Sequence, residues 1–173
     1  MTTPVWFGTF SRQIGGKQMA ALNLGAVGSI VALSRYGNFM PFKLDETVTV
    51  VKLWVYMSSL ASNIGMGIYD AAGSGVVYSG PQAAVASDVN EFDIADTELT
   101  AGTQYYLCFC CDQNNKSDTV YGVNLAGYSS RALGQLRADT IMSATPPASV
   151  TYALTTGNDI RPLAGMTLRT LAA

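Results

Sequence analysis

Residues 98–112 read ELTAGTQYYLCFCCD, and this stretch decides the fold because it joins a turn signal, a strand signal and a fixed corner spacing. Leu99 stands six residues before Tyr105 and Gly102 three before it, with Thr103 between. At this spacing an antiparallel sandwich folds a tyrosine back over its own corner, packing the ring and bringing the hydroxyl to backbone. Leu99, Gly102 and Tyr105 are therefore expected as structural corner residues. Beyond the corner, alternation along a strand sends Tyr105, Leu107 and Phe109 to one face and Tyr106, Cys108 and Cys110 to the other. Both faces are apolar or amphipathic, which predicts a central strand.

The flanking sequence continues the β pattern. Residues 47–58, TVTVVKLWVYMS, predict a long strand with Val51, Leu53, Val55 and Met57 on its core face. Val48, Val50, Lys52, Trp54 and Tyr56 take the other face, and the last three suit a surface that is half wet or contacted by another chain. Ile64, Met66 and Ile68 alternate with Gly65 and Gly67, which leave room for a closely packed neighbour. The loop chemistry of residues 69–75 makes 64–79 a hairpin. Phe92 and Ile94 imply another strand before the corner. Shorter strands are expected over 29–33, 38–44, 120–125, 150–154 and 160–171, with Pro41 confined to an edge or bulge. Residues 112–118 form a polar loop tip, and 145–148, TPPA, a stiff connector. Residues 131–142 fit either a short helix or an extended segment, although Gly134 and Asp139 oppose a long helix.

Residues 1–28 read as an N-terminal arm or assembly segment and residues 29–173 as the β-sandwich domain. Trp6, Phe7 and Phe10 need burial, but Gly15, Gly16, Gly25 and Gly28 break any pattern that would bury them locally. Exposed bulky apolar groups mark contact surfaces, so the arm is expected to dock on a neighbouring subunit. Trp6, Phe7, Phe10, Lys52, Trp54 and Tyr56 are the assembly-interface candidates.

Composition narrows the chemistry. The chain has 173 residues, 49% hydrophobic and 13% charged, against a usual charged share of about a quarter. A surface so poor in charge is expected to be partly covered by other chains. A net charge of −2 gives no footprint for a phosphate backbone, so nucleic acid is not an expected partner. No apolar run reaches the length of a membrane span, and the first ten residues lack the build of a signal peptide, which predicts a soluble, unexported chain. With no histidine, Ser-His-Asp triads, Cys-His pairs and His-ligated metals are excluded. Cys108, Cys110 and Cys111 form one compact cluster, which suits buried thiols and supplies no disulfide framework.

Short strands at near-regular spacing predict an all-β fold, an antiparallel β-sandwich of the jelly-roll or immunoglobulin-like kind, with an extended N-terminal arm. The succession PFKLDETVTVVKLWVYMSS, NIGMGIYDAAGSGVVYSG, FDIADTELTAGTQYYLCFCCD and IRPLAGM resembles a β-sandwich domain that recurs in bacteriophage tail fibres and capsid-attached virion proteins. The likeness spans residues 37–166. Its pattern is matched by Gly67-Ile68-Tyr69-Asp70 and by Leu99, Gly102, Thr103, Tyr105 and Tyr106. These residues carry architecture and no binding site. The resemblance implies a non-enzymatic virion structural protein made in the host cytoplasm, either a capsid decoration or a tail-fibre subunit. Its partners would be other virion proteins and copies of itself, with a trimer as the expected homo-oligomer, and it implies no cofactor.

Three further constellations have other readings. Asp93, Asp96 and Glu98 are spaced for acid-base work or calcium, but charges around a polar turn are ordinary. Asp88, Asn90, Asp112, Asn114 and Asp118 lack the EF-hand spacing, and Gly73-Ser74-Gly75 is too short for a phosphate loop. Trp54, Tyr56, Tyr69, Tyr78 and Tyr128 offer rings that suit sugar stacking. They carry the alternative function, a carbohydrate-binding or receptor-binding adhesin module for a host-surface glycan.

Overall fold

A computed structural model describes residues 2–6, 27–32, 37–59, 62–83, 85–112, 119–124, 136–138, 143–154, 160–162 and 164–169. The strands are β1 (Thr2–Trp6), β2 (Val27–Ala32), β3 (Asn38–Lys43), β4 (Val48–Ser59), β5 (Asn63–Asp70), β6 (Gly75–Tyr78), β7 (Gln82–Ala83), β8 (Val89–Leu99), β9 (Gln104–Cys111), β10 (Thr119–Asn124), β11 (Leu136–Ala138), β12 (Tyr152–Leu154), β13 (Ile160–Pro162) and β14 (Ala164–Arg169). Among the described residues all strand pairings are antiparallel. The strands form two seven-stranded sheets, and their facing sides share the main core, giving the expected sandwich.

The first sheet is built on β4, whose β-branched and aromatic residues favour an extended chain. Strand β8 runs along one of its edges from Val48 to Tyr56. Strand β14 follows the other edge and carries β1, while β10 pairs with Met57 and Ser59 at the end of β4. Strands β2 and β13 flank β10. The N-terminal segment thus begins as a strand laid on β14 of its own chain.

The second sheet runs β12-β11-β3-β9-β5-β6, with β7 also on β5. Strand β9 lies between β3 and β5, the central position expected from its two apolar faces. Strand β11 pairs with β3 only at Asn38 and Phe39. Among the described residues that edge of β3 is therefore open at Pro41, where the lost N–H breaks no ladder bond to β11. The extended alternative holds for 136–138, and the remainder of 131–142 lies outside the described residues.

Phe42, Leu53, Met57, Ile64, Met66, Ile68, Phe92, Leu107 and Phe109 meet in the core between the sheets. Strict alternation along β4 breaks near Val51. Leu168 of β14 is paired with Val50 and Thr167 with Lys52, so β4 carries one extra residue there, and its pairing with β8 also shifts between Val50 and Lys52. A residue added on one strand reverses which parity faces inward. Val50 is buried in place of the expected Val51, and Leu53, Val55 and Met57 hold the core face beyond the irregularity. The single last strand expected over 160–171 is instead two strands, β13 on β10 and β14 on β4.

A smaller apolar cluster occupies the outer face of the second sheet. It contains Phe39, Tyr69, Cys108, Cys110 and Val150, with Tyr78, Tyr106 and Tyr152 packed against it. Residues 143–150 cross this face as a strap. A Cβ at Gly65 would lie 1.8 Å from the Ala144 carbonyl oxygen and 2.9 Å from Pro146 Cδ. The strap is thus the close neighbour for which the glycine leaves room, and its prolines limit the entropy lost on fixing it.

Candidate assembly surface

The corner lies between β8 and β9. Leu99 is buried, Gly102 has φ +72°, and the phenolic oxygen of Tyr105 accepts the Thr100 N–H at 3.2 Å. The turn is also held from the β3–β4 connection, since Gly102 N–H donates to the Leu44 carbonyl at 2.8 Å and Ala101 N–H to Thr47 Oγ1 at 3.1 Å. Tyr105 and Phe42 stack at 5.8 Å, tying the corner to the core. Leu99, Gly102 and Tyr105 thus all lie in or against this turn.

The assembly candidates on β4 share the outer face of the first sheet. Lys52 Nζ lies 3.2 Å from Glu91 Oε2 and 3.5 Å from Asp93 Oδ1, so β8 supplies two carboxylates to one ammonium. The Glu91 hydrogen bond and then its charge, followed by Asp93, push the lysine pKa up. Trp54 is only 3% exposed, so its ring is covered within a single chain. Tyr56 is half-buried and stacks on Tyr121 at 4.8 Å with 22° between the ring planes. Further along β8, Asp96 pairs with Arg169 of β14. The sequence gives no direct sign of these cross-strand partners, because they depend on a register that the irregularity at Val51 resets.

The backbone register extends this face to the N-terminus. Trp6 is paired with Gly165, Gly165 with Trp54, and Trp54 with Glu91. One row therefore crosses four strands and holds two of the interface candidates on either side of a glycine. The adjacent row is Pro4, Thr167, Lys52 and Asp93. Phe7 and Phe10 lie outside the described residues.

The aromatic platform divides. Trp54 and Tyr56 belong to the first sheet and Tyr69 and Tyr78 to the second, while Tyr128 lies outside the described residues. Tyr69 is fully buried and donates to the Pro147 carbonyl at 2.7 Å, and Tyr78 donates to the Ala148 carbonyl at 3.4 Å. Tyr152 donates to the Asp70 carbonyl at 2.6 Å. Burial, followed by the neighbouring Cys108, pushes the Tyr69 phenol well above its usual range. Burial and then Tyr106 do the same for Tyr152. These hydroxyls tether the strap and the hairpin end to the sheet.

Acidic and amide side chains of the loops are similarly engaged. Asp70 Oδ1 accepts the N–H groups of Ala72 and Ser74, each at 2.9 Å, and so shapes the hairpin loop. Asp88 accepts the Val89 N–H at 2.7 Å, and Asn90 donates to the Val85 and Asp88 carbonyls. Asp112 accepts from Asn63 Nδ2 at 3.1 Å and from the Ala144 N–H at 2.9 Å, anchoring the strap. Asn114 and Asp118 lie outside the described residues. Among the described residues, no group of three or more His, Cys, Asp or Glu is placed to hold a metal ion. Cys108, Cys110 and Cys111 are buried free thiols, with Cys111 on the core face and the other two on the strap face. Among the described residues, no helix is long and apolar enough to cross a membrane. Comparison with protein-family models, with curated proteins and with solved structures gives no match.

Proposed function

We propose that this chain is a non-enzymatic bacteriophage virion structural protein, a capsid-decoration or fibre-type subunit that works by assembling with other virion subunits. The observation that carries this reading is the use to which the polar side chains are put. Tyr69, Tyr78 and Tyr152 tether a strap, Asp70 and Asp112 fix loops, and Lys52 and Arg169 are paired across strands. Such groups hold a shape, and a held shape is what a building block supplies. The motif residues of the phage resemblance do the same work, with Asp70 closing the hairpin and Tyr105 closing the corner. The low charge noted above suits a subunit whose faces are covered by copies of itself or by capsid or tail proteins.

The reading is tested by locating the chain in the density of an assembled particle. Density for this sandwich at regular positions on capsid or tail supports it, and a particle without such density counts against it. The adhesin reading draws on the half-buried Tyr56–Tyr121 stack, whose flat rings and polar tips suit a sugar. Titration with host-surface glycans, followed by tyrosine fluorescence, tests that alternative.

A further inference from the structure

We propose that neighbouring copies exchange N-terminal strands, so that β1 of one subunit completes the β14 edge of the next. The inference rests on the reading of the chain as an assembling subunit and names its partner, a second copy of the same chain.

Among the described residues, strand β1 ends the first sheet and joins it only through β14. Its attachment is a five-residue ladder from Thr2 opposite Arg169 to Trp6 opposite Gly165. Without that ladder β14 becomes an edge with open backbone groups, so every copy needs a β1 from some chain. The ladder is the same whether the strand comes from its own chain or another. What differs is the connection, and here it is long. Twenty residues, 7–26, lie between β1 and β2, and they include Gly8, Gly15, Gly16 and Gly25.

At about 3.3 Å per residue, 20 residues reach at most about 66 Å. A compact chain of this length has a radius of gyration of about 16 Å. The connection can therefore carry β1 past its own domain to an adjacent one. Tethering a strand to its own domain gives it an effective concentration on the order of millimolar, and packed neighbours in a regular assembly compete on equal terms. Pro4 suits a strand that closes a sheet, since it has no N–H to offer a further partner. Each copy gives one strand and receives one, a head-to-tail arrangement that closes as a ring when the rotation permits. The expected trimer is one such ring. On arrival, the register sets Trp6 opposite Gly165, across from the host subunit's Trp54.

The exchange is read by cysteine pairing between Pro4 and Thr167, which are opposite in the ladder. Thr167 Oγ1 has no hydrogen-bond partner among the described residues, so a cysteine there removes no such bond. Pro4→Cys chains and Thr167→Cys chains are unfolded, refolded together at high concentration and oxidised, with the wild-type chain as the control for the three buried native thiols. The expected result is a disulfide-linked dimer containing one chain of each kind. A monomeric double variant closed by an intrachain disulfide, with no linked dimer in the mixture, overturns the proposal. So does the absence of either disulfide in protein with a β circular dichroism spectrum. If either substitution prevents folding, Thr2→Cys and Arg169→Cys give the same readout at the next position but one, where Arg169 is exposed. Purified protein is used without particles, so failure of strand exchange leaves the virion reading to its own test.

Discussion

The Thr100 N–H donates to the phenolic oxygen of Tyr105 at 3.2 Å, across the turn between β8 and β9. This bond joins the end of the first sheet to the start of the second sheet's central strand. Removing the hydroxyl leaves the N–H without its acceptor, at a cost of about 1 to 2 kcal/mol. For a chain of this size, Tyr105→Phe is expected to lower the melting temperature by about 2 to 8 °C without changing the assembled architecture. An unchanged melting temperature contradicts the corner assignment.

Gly65 and Gly102 answer the same substitution for different reasons. A Cβ at Gly65 runs into the backbone of the strap at Ala144, whereas one at Gly102 meets nothing within 4 Å. Gly65→Ala must displace residues 143–150 and is expected to cost about 1 to 3 kcal/mol and to speed proteolysis of the strap. Gly102→Ala carries only the penalty of φ +72°, about 1 to 2 kcal/mol. Limited proteolysis distinguishes them: equal protection of the strap in both variants contradicts its packing on Gly65.

Alkaline pH should weaken the fold through these groups, whereas acid leaves them protonated in both states. Burial holds the Cys108 thiol and the Tyr69 and Tyr152 phenols protonated above their usual ranges. In the unfolded chain the thiol titrates near about pH 8.5 and the phenols near about pH 10. Above those values the folded state keeps protons that the unfolded state has lost, so stability falls as pH rises. Their full contribution is present below about pH 8.5 and declines as pH climbs towards the raised folded values. The expected melting temperature is insensitive to these groups near neutrality and falls above about pH 9, with a shallower fall above about pH 10 in Tyr69→Phe. An equal slope in that variant contradicts the burial of the phenol.

Much of this architecture can be read from the chain because its β9 residues obey one period. Tyr105, Leu107 and Phe109 enter the main core, while Tyr106, Cys108 and Cys110 meet the strap face. The same period misassigns Val50 and Val51, since a register irregularity is a property of paired strands and leaves no mark in one of them. Gly65 announces a close neighbour, but the identity of that neighbour, residues 143–150, depends on chain tracing across the fold. Trp54 sits between Lys52 and Tyr56 on a half-wet face but as a ring fits packing better than sugar stacking, and it is covered. The Lys52–Glu91 and Arg169–Asp96 pairs connect residues far apart in sequence, so only the sheet order makes them visible.

The purified chain is expected to be oligomeric, with a trimer as the closed form. Light scattering over a range of concentrations measures this directly. A mass near three chains fits the exchange of terminal strands, while a monomer at high concentration contradicts an oligomer in free solution.

The claim that this protein works by assembling is tested most directly by co-sedimentation with particles that lack it. Full-length chain is expected to sediment with them, and a chain lacking residues 1–16 is expected to keep its β circular dichroism signal but remain in the supernatant. The truncated sandwich should fold because, among the described residues, the main core draws on β3 to β6, β8 to β10 and β14 together with Leu44, while its β14 edge would stand unpaired without β1. Full-length chain that stays in the supernatant contradicts the account.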